Sequence, residues 1–270
     1  MLTIKTGLYA LGALALAQSG LAAPAYGDGE GDVQYLPSRM KRDQSSAPLF
    51  SDKGPIFEDA GLQRSLDNTE GETSGTWFDS AVAAYAVGLK AEVKNHFALG
   101  DHKTTDKLSE VEVNFETING RKTHKVTRGD TGAKDEDVWW AGAIRTAAAN
   151  ITDIGVDGLE GDGKIKEGQP DQALRLLTGR DATVTKEPSV DDQLKYAAEF
   201  ANSPVVFGFA NNERDTTVAA WRAVVDYKKE DGMVPIVSFY QIGANKTPDL
   251  VLGEEGVFVV AVAHLNDILD

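Results

Sequence analysis

The chain has 270 residues, of which 42 are acidic, 27 basic and none cysteine, and 41 % are hydrophobic. This length admits one large domain or two small ones, with core enough to fold unaided. A formal net charge of −15 disfavours a partner held by phosphate neutralisation, so no nucleic acid is expected, and the missing cysteines exclude disulfide scaffolds, thiolate metal sites and a cysteine nucleophile.

Lys5 precedes an apolar stretch from Gly7 to Ala17 that is too short to span a bilayer, which takes about 20 residues. Small residues at Gly20 and Ala22 suit cleavage before Ala23, so residues 1–22 read as a secretory signal peptide and the product as extracellular. Residues 23–42 have no hydrophobic period and end in Lys41-Arg42, a dibasic pair of the kind that closes a propeptide in fungal-type processing. No later segment is apolar and long enough to serve as a membrane anchor. Two sequons, at Asn150 and Asn245, are compatible with glycosylation.

Residues 43–70 are polar, carry Pro48 and Pro55, and read as an extended lead-in. Trp77 to Leu89 is alanine-rich and apolar nearly all round, which predicts a helix buried on most of its surface. Val111–Phe115 and Thr123–Thr127 alternate around Asn119-Gly120 and predict a hairpin. Asp137 to Asn150 returns to a helical period with acidic residues at its start, and Gly155 to Gly168 is a loop. Pro170 to Leu177 predicts a short helix stopped by Gly179. Ser189 with Asp192 resembles a capping box that opens a helix running to about Ala201, with Val190, Leu194, Ala197 and Ala201 on one face. Four strands follow, over residues 204–209, 218–227, 233–240 and 256–263, with Lys228–Gly232 as a hairpin connection. The layout is α+β, with a helical part over 43–180 and a β part over 181–270.

Glu70-Gly71-Glu72-Thr73-Ser74-Gly75-Thr76-Trp77-Phe78, opening the buried helix, resembles the calpain-type branch of the papain-like cysteine peptidases. Its pattern there is Gln-Gly-x-x-Gly-Asp-Cys-Trp-Phe, with the nucleophile at the N-terminus of the central helix, where the dipole lowers a thiol pKa and amides face an oxyanion. Four further segments follow in the family's order: the hairpin over 113–130, the Trp139-Trp140 helix start, Gly168 to Gly179, and Gly256-Val257-Phe258 with Leu265–Leu269. The similarity spans residues 70–270 and implies a two-lobed papain-like fold, a helical lobe facing an antiparallel β lobe across a cleft.

The same resemblance shows what is missing. The cysteine position falls on Thr76, the oxyanion glutamine on Glu70, the histidine of the His-Ala-Tyr strand on Ala220, and the asparagine of Asn-Pro-Trp-Gly on Tyr240. The four histidines are His96, His102, His124 and His264, none within the strand that would carry the base. A threonine hydroxyl needs an adjacent base to attack, and alanine stands where that base belongs, so Thr76 reads as a helix N-cap. Glu70 would set a carboxylate where an oxyanion is meant to form.

The expectation is therefore a secreted peptidase homologue without peptidase chemistry, binding a protein or peptide in the old cleft. Two alternatives stand beside it: a hydrolase using other groups, such as paired carboxylates, and an unrelated binding or structural module. No cofactor is expected. Residues 153–167 cluster acidic oxygens with glycine, but the loop lacks the first and twelfth ligands of an EF-hand, leaving a non-EF calcium site at Asp153, Asp157, Glu160 and Asp162 as a minor alternative. His96, Asp101 and His102 lack the spacing of ligands on one helical face.

Overall fold

The computed structural model describes residues 46–52, 76–132, 138–231, 233–240 and 249–266, and everything below concerns these. The segments expected to be a signal peptide (1–22) and a propeptide (23–42), together with Glu70 and Asn245, lie outside them.

Helix α1 (Thr76–Gly88) is the pivot. Every residue from Trp77 to Ala86 is buried, because this helix is covered on all sides. Its last residue, Gly88, lets a neighbour approach closely: a Cβ there would come within 2.8 Å of the backbone of Ser203 and Pro204. Against α1 pack α2 (Trp140–Asn150), α3 (Pro170–Thr178) and the large sheet.

The hairpin forms as predicted from β4 (Glu110–Thr117) and β5 (Gly120–Thr127), and β2 (Phe97–Ala98) extends it to three strands. Only Gly120, at φ 91°, takes a left-handed conformation in this turn. Asn119 does not, so the primed turn that Asn-Gly usually signals gives way to one with glycine at its last position. A two-stranded ladder joins β1 (Ala47–Pro48) to β3 (Lys107–Leu108).

The lead-in is more than a tether. Ala47, Leu49 and Phe50 are buried, and the Leu49 carbonyl accepts a hydrogen bond from the Trp140 amide at 3.2 Å. Trp139 donates its indole N–H to Ala47 at 3.1 Å. These contacts explain why α2 starts at Trp140 and not at Asp137: the extended segment satisfies its first amide, and Trp139 is held outside helical geometry (φ −135°, ψ 12°). Helix α3 begins at Pro170 and ends at Gly179 in the left-handed conformation (φ 67°), as its proline and glycine predicted.

Every strand of the large antiparallel sheet comes after Arg180. Its order is β10-β9-β8-β7-β11-β6, with β6 at Ala182–Lys186, β7 at Val205–Phe209, β8 at Ala220–Lys228, β9 at Ile236–Tyr240, β10 at Asp249–Val251 and β11 at Val259–Leu265. Sequence periodicity missed β6 and β10, which are short, β10 having only three residues. It also placed the start of the last strand three residues early, since Gly256 lies in a turn and the strand begins only at Val259.

The strand period of two sorts the sheet's side chains into two cores. Val206, Trp221, Ala223, Tyr240, Ala261 and Ala263 join α1. Val205, Phe207, Phe209, Val224, Phe239 and Val262 join Tyr196 and Ala197 of α4 (Val190–Ala198) on the other side. The Ser189 hydroxyl caps α4, accepting from the Asp192 amide at 3.2 Å. The buried face of α4 is Gln193, Tyr196 and Ala197, while Val190 and Ala201 are exposed, so the predicted stripe is rotated toward Tyr196. The architecture is thus α+β: helices and a small sheet on one side of α1, and an antiparallel sheet on the other.

Candidate functional site

A cleft of about 830 Å³ opens at the N-terminus of α1. Thr76 and Trp77 stand at its inner end. One wall is the loop carrying Asp157, Glu167, Gly168 and Gln169; the other is the sheet, through Val184, Lys186, Glu187, Val260, Ala261, the segment 216–219 and Trp221.

Gly168 sets the floor. A Cβ there would lie 2.4 Å from Trp77 Cζ2 and 2.8 Å from the Asp157 carbonyl oxygen, so only glycine lets the loop lie flat on the indole. The Trp77 N–H donates to the Lys166 carbonyl at 2.8 Å and ties that loop to α1. On the other wall, Ser80 Oγ donates to the Trp221 carbonyl at 2.8 Å, which fixes β8 against α1.

Thr76 is itself helical, the first described residue of α1, and does not stand ahead of the helix as a cap. Ala220 does not face it. Trp221 joins the α1 side of the sheet, and strand alternation turns Ala220 to the opposite side with Arg222, whose guanidinium lies 4.8 Å from the Phe209 ring centroid. The residues that do flank the cleft here are Trp221 of this strand and Ala219, just before it. Tyr240 lies on the α1 side, opposite Ala223, and is buried beside the helix rather than lining the cleft.

All four histidines are described, and none lines the cleft. His96 is buried, with Nδ1 2.8 Å from the Asn114 carbonyl oxygen and Nε2 2.9 Å from that of Leu177, so it joins β4 to α3 and is not paired with His102. Burial holds its pKa below the ordinary value, opposed by those two carbonyls. His102 is exposed beside Asp106, and His124 lies on β5. His264 sits on the α4 side of the sheet, stacked on Tyr196 and 3.0 Å from Thr185 Oγ1.

The acidic loop residues are spread over several partners. Asp153 takes φ 57° and pairs with Lys122 at 3.6 Å, Asp157 accepts from Gln172 at 3.0 Å, and Glu160 and Asp162 both converge on Lys166. Among the described residues, no group of three or more metal-ligating side chains gathers. Asn150 closes α2 and donates its side-chain amide to the Thr146 carbonyl at 2.8 Å.

Sequence reasoning overlooked one buried pair. Asp79, fully buried on α1, accepts from Arg145 Nε of α2 at 3.1 Å. Burial pushes its carboxyl up to about 6, against the opposing pull of Arg145. Its charge adds to burial in pushing the Tyr240 hydroxyl up to about 12. The signal was present in each sequence segment, a single charge within an alanine-rich helix. A fully buried charge needs a partner, and the half-buried Arg145 supplies one to Asp79.

No family model matches the chain, and no curated protein matches it. No helix among the described residues is long and apolar enough to cross a membrane.

Proposed function

We propose that the chain is a secreted, proteolytically inert relative of the calpain-type papain-like peptidases that holds an unfolded polypeptide segment in the cleft at Thr76. The observation that carries this reading is the pairing of position with chemistry. A cleft opens at the N-terminus of the buried helix, where the resemblance sets a nucleophile, yet the residue is threonine and every histidine lies elsewhere. The order of segments from residue 70 onward and the antiparallel sheet beside α1 support a two-lobed papain-like arrangement as the source of that cleft.

A hydroxyl without a base stays protonated and unreactive at neutral pH. Removing nucleophile and base from such a unit leaves little beyond binding. What remains is a concave, partly apolar groove walled by Trp77, Val184, Val218 and Trp221, with polar side chains at its rim.

The test is binding of fluorescein-labelled reduced casein by the exported protein, followed by anisotropy, with Ala219→Trp as the cleft-filling variant. Ala219 is exposed on the rim, so the larger side chain enters the groove without entering the core. Saturable binding that Ala219→Trp weakens at least ten-fold is expected. Absence of binding, or equal binding by both proteins, overturns the reading.

A further inference from the structure

We infer that the cleft captures an extended basic peptide, which adds to the large sheet as a further strand along the outer edge of β6. This rests on the proposed binding role and specifies its ligand and its mode.

Among the described residues, strand β6 ends the sheet order and pairs only with β11. The ladder is anchored by bonds from the Asn266 amide to the Asp181 carbonyl and from the Glu187 amide to the Val260 carbonyl, both at 2.9 Å. Antiparallel pairing alternates, so residues 181, 183, 185 and 187 direct their backbone groups to β11, and 182, 184 and 186 direct theirs outward. Arg175 of α3 covers the first outward carbonyl, donating from Nε to Ala182 at 2.9 Å. Val184 and Lys186 have no backbone partner on that side among the described residues, and both line the cleft. An open edge at the rim of a groove is the arrangement that accepts an added strand.

Charge selects the occupant. The ionisable groups lining the cleft are Asp157, Glu167, Glu187 and Lys186, three acids to one base. Lys166, the nearest further cation on the loop, is already held by Glu160 and Asp162. Glu167 and Glu187 are exposed and have no cationic partner among the described residues. Glu187 takes a left-handed conformation (φ 48°) where β6 ends, an uncommon one for a residue with a side chain. A strand with lysine or arginine at alternate positions complements this rim, and its backbone amides complement Val184 and Lys186.

The test uses the full chain and labelled octapeptides of alternating valine and lysine. The unmodified peptide is expected to bind, with affinity falling as salt rises. Methylating alternate amides in two registers is expected to weaken binding about ten-fold in one register, the loss of roughly two backbone hydrogen bonds. A valine–glutamate peptide and the double variant Glu167→Lys/Glu187→Lys are each expected to bind at least ten-fold more weakly. Equal affinity for both methylated registers and the parent overturns strand addition. Equal affinity for the acidic peptide overturns the charge selection. Casein binding that Ala219→Trp abolishes, with no basic-peptide binding, overturns this inference and leaves the proposed function standing; loss of casein binding as well overturns both.

Discussion

Gly168→Ala is the sharpest probe of how the cleft floor is built. No positive φ requires glycine at this position, so the cost of a methyl group is steric. Its Cβ would lie 2.4 Å from Trp77 Cζ2, 2.6 Å from Cε2 and 2.8 Å from the Asp157 oxygen. The oxygen is backbone, and the indole is buried against α1, its ring 5.6 Å from that of Phe78. Overpacking of this kind costs about 1–3 kcal/mol. Shifting the loop also weakens the bond from Trp77 to the Lys166 carbonyl, worth about 1 kcal/mol. A total of about 2–4 kcal/mol follows. Urea unfolding read by tryptophan fluorescence measures it: with a slope near 3 kcal/mol/M, the midpoint falls by about 1 M. Gly129→Ala, with open space and ordinary backbone geometry, is the control and is expected to stay within about 0.5 kcal/mol. If Gly168→Ala matches that control, the loop does not lie on Trp77 and the floor of the cleft is wrongly built.

Asp79→Asn isolates a buried titration. The carboxyl rises from 3.8 to about 6 on folding, so its contribution to stability is complete below pH 4 and is lost as pH climbs through 6. Asparagine lacks that dependence, and the wild type should therefore lose about 2–3 kcal/mol relative to the variant between pH 4 and 7 in denaturation curves; a pH-independent difference would refute the assignment. His96→Phe removes the imidazole lying between the carbonyls of Asn114 and Leu177, leaves unpaired the one that its single N–H serves, and should cost about 1–3 kcal/mol in the same assay, whereas a metal role would leave stability in chelator unchanged by the substitution. Thr76→Cys introduces the only thiol in the chain. Maleimide labelling of the folded protein should go to completion at this one site, and protection from it would show that Thr76 does not open into the cleft.

The elements most legible in the sequence were those whose signals are local. The apolar run of α1, the proline and glycine bracketing α3, and the serine cap of α4 each act within a turn or two of chain. Misplacements arose where distant segments decide. Trp139 and Trp140 share one apolar run, but contacts from Ala47 and Leu49 separate the residue before the helix from the first one in it. Strand β6 shows no strong period because it is an edge, half covered by α3, and its side chains are mostly polar. The same limit applies to the site. Aligning residues placed Ala220 opposite Thr76, but in a strand a one-residue slip reverses the face, and Trp221 took the inward position. Asp79 and Arg145 were each visible as lone charges in apolar helices, although their pairing required the packing of α1 on α2.

The central claim, a polypeptide-binding cleft without peptidase chemistry, is tested most directly by turnover. Fluorogenic casein is incubated with purified wild type and with Thr76→Ala, and released peptides are followed over hours at neutral pH. Wild type and variant are expected to release fluorescence at the same background rate while still binding the substrate. Hydrolysis by the wild type that disappears in Thr76→Ala would contradict the claim.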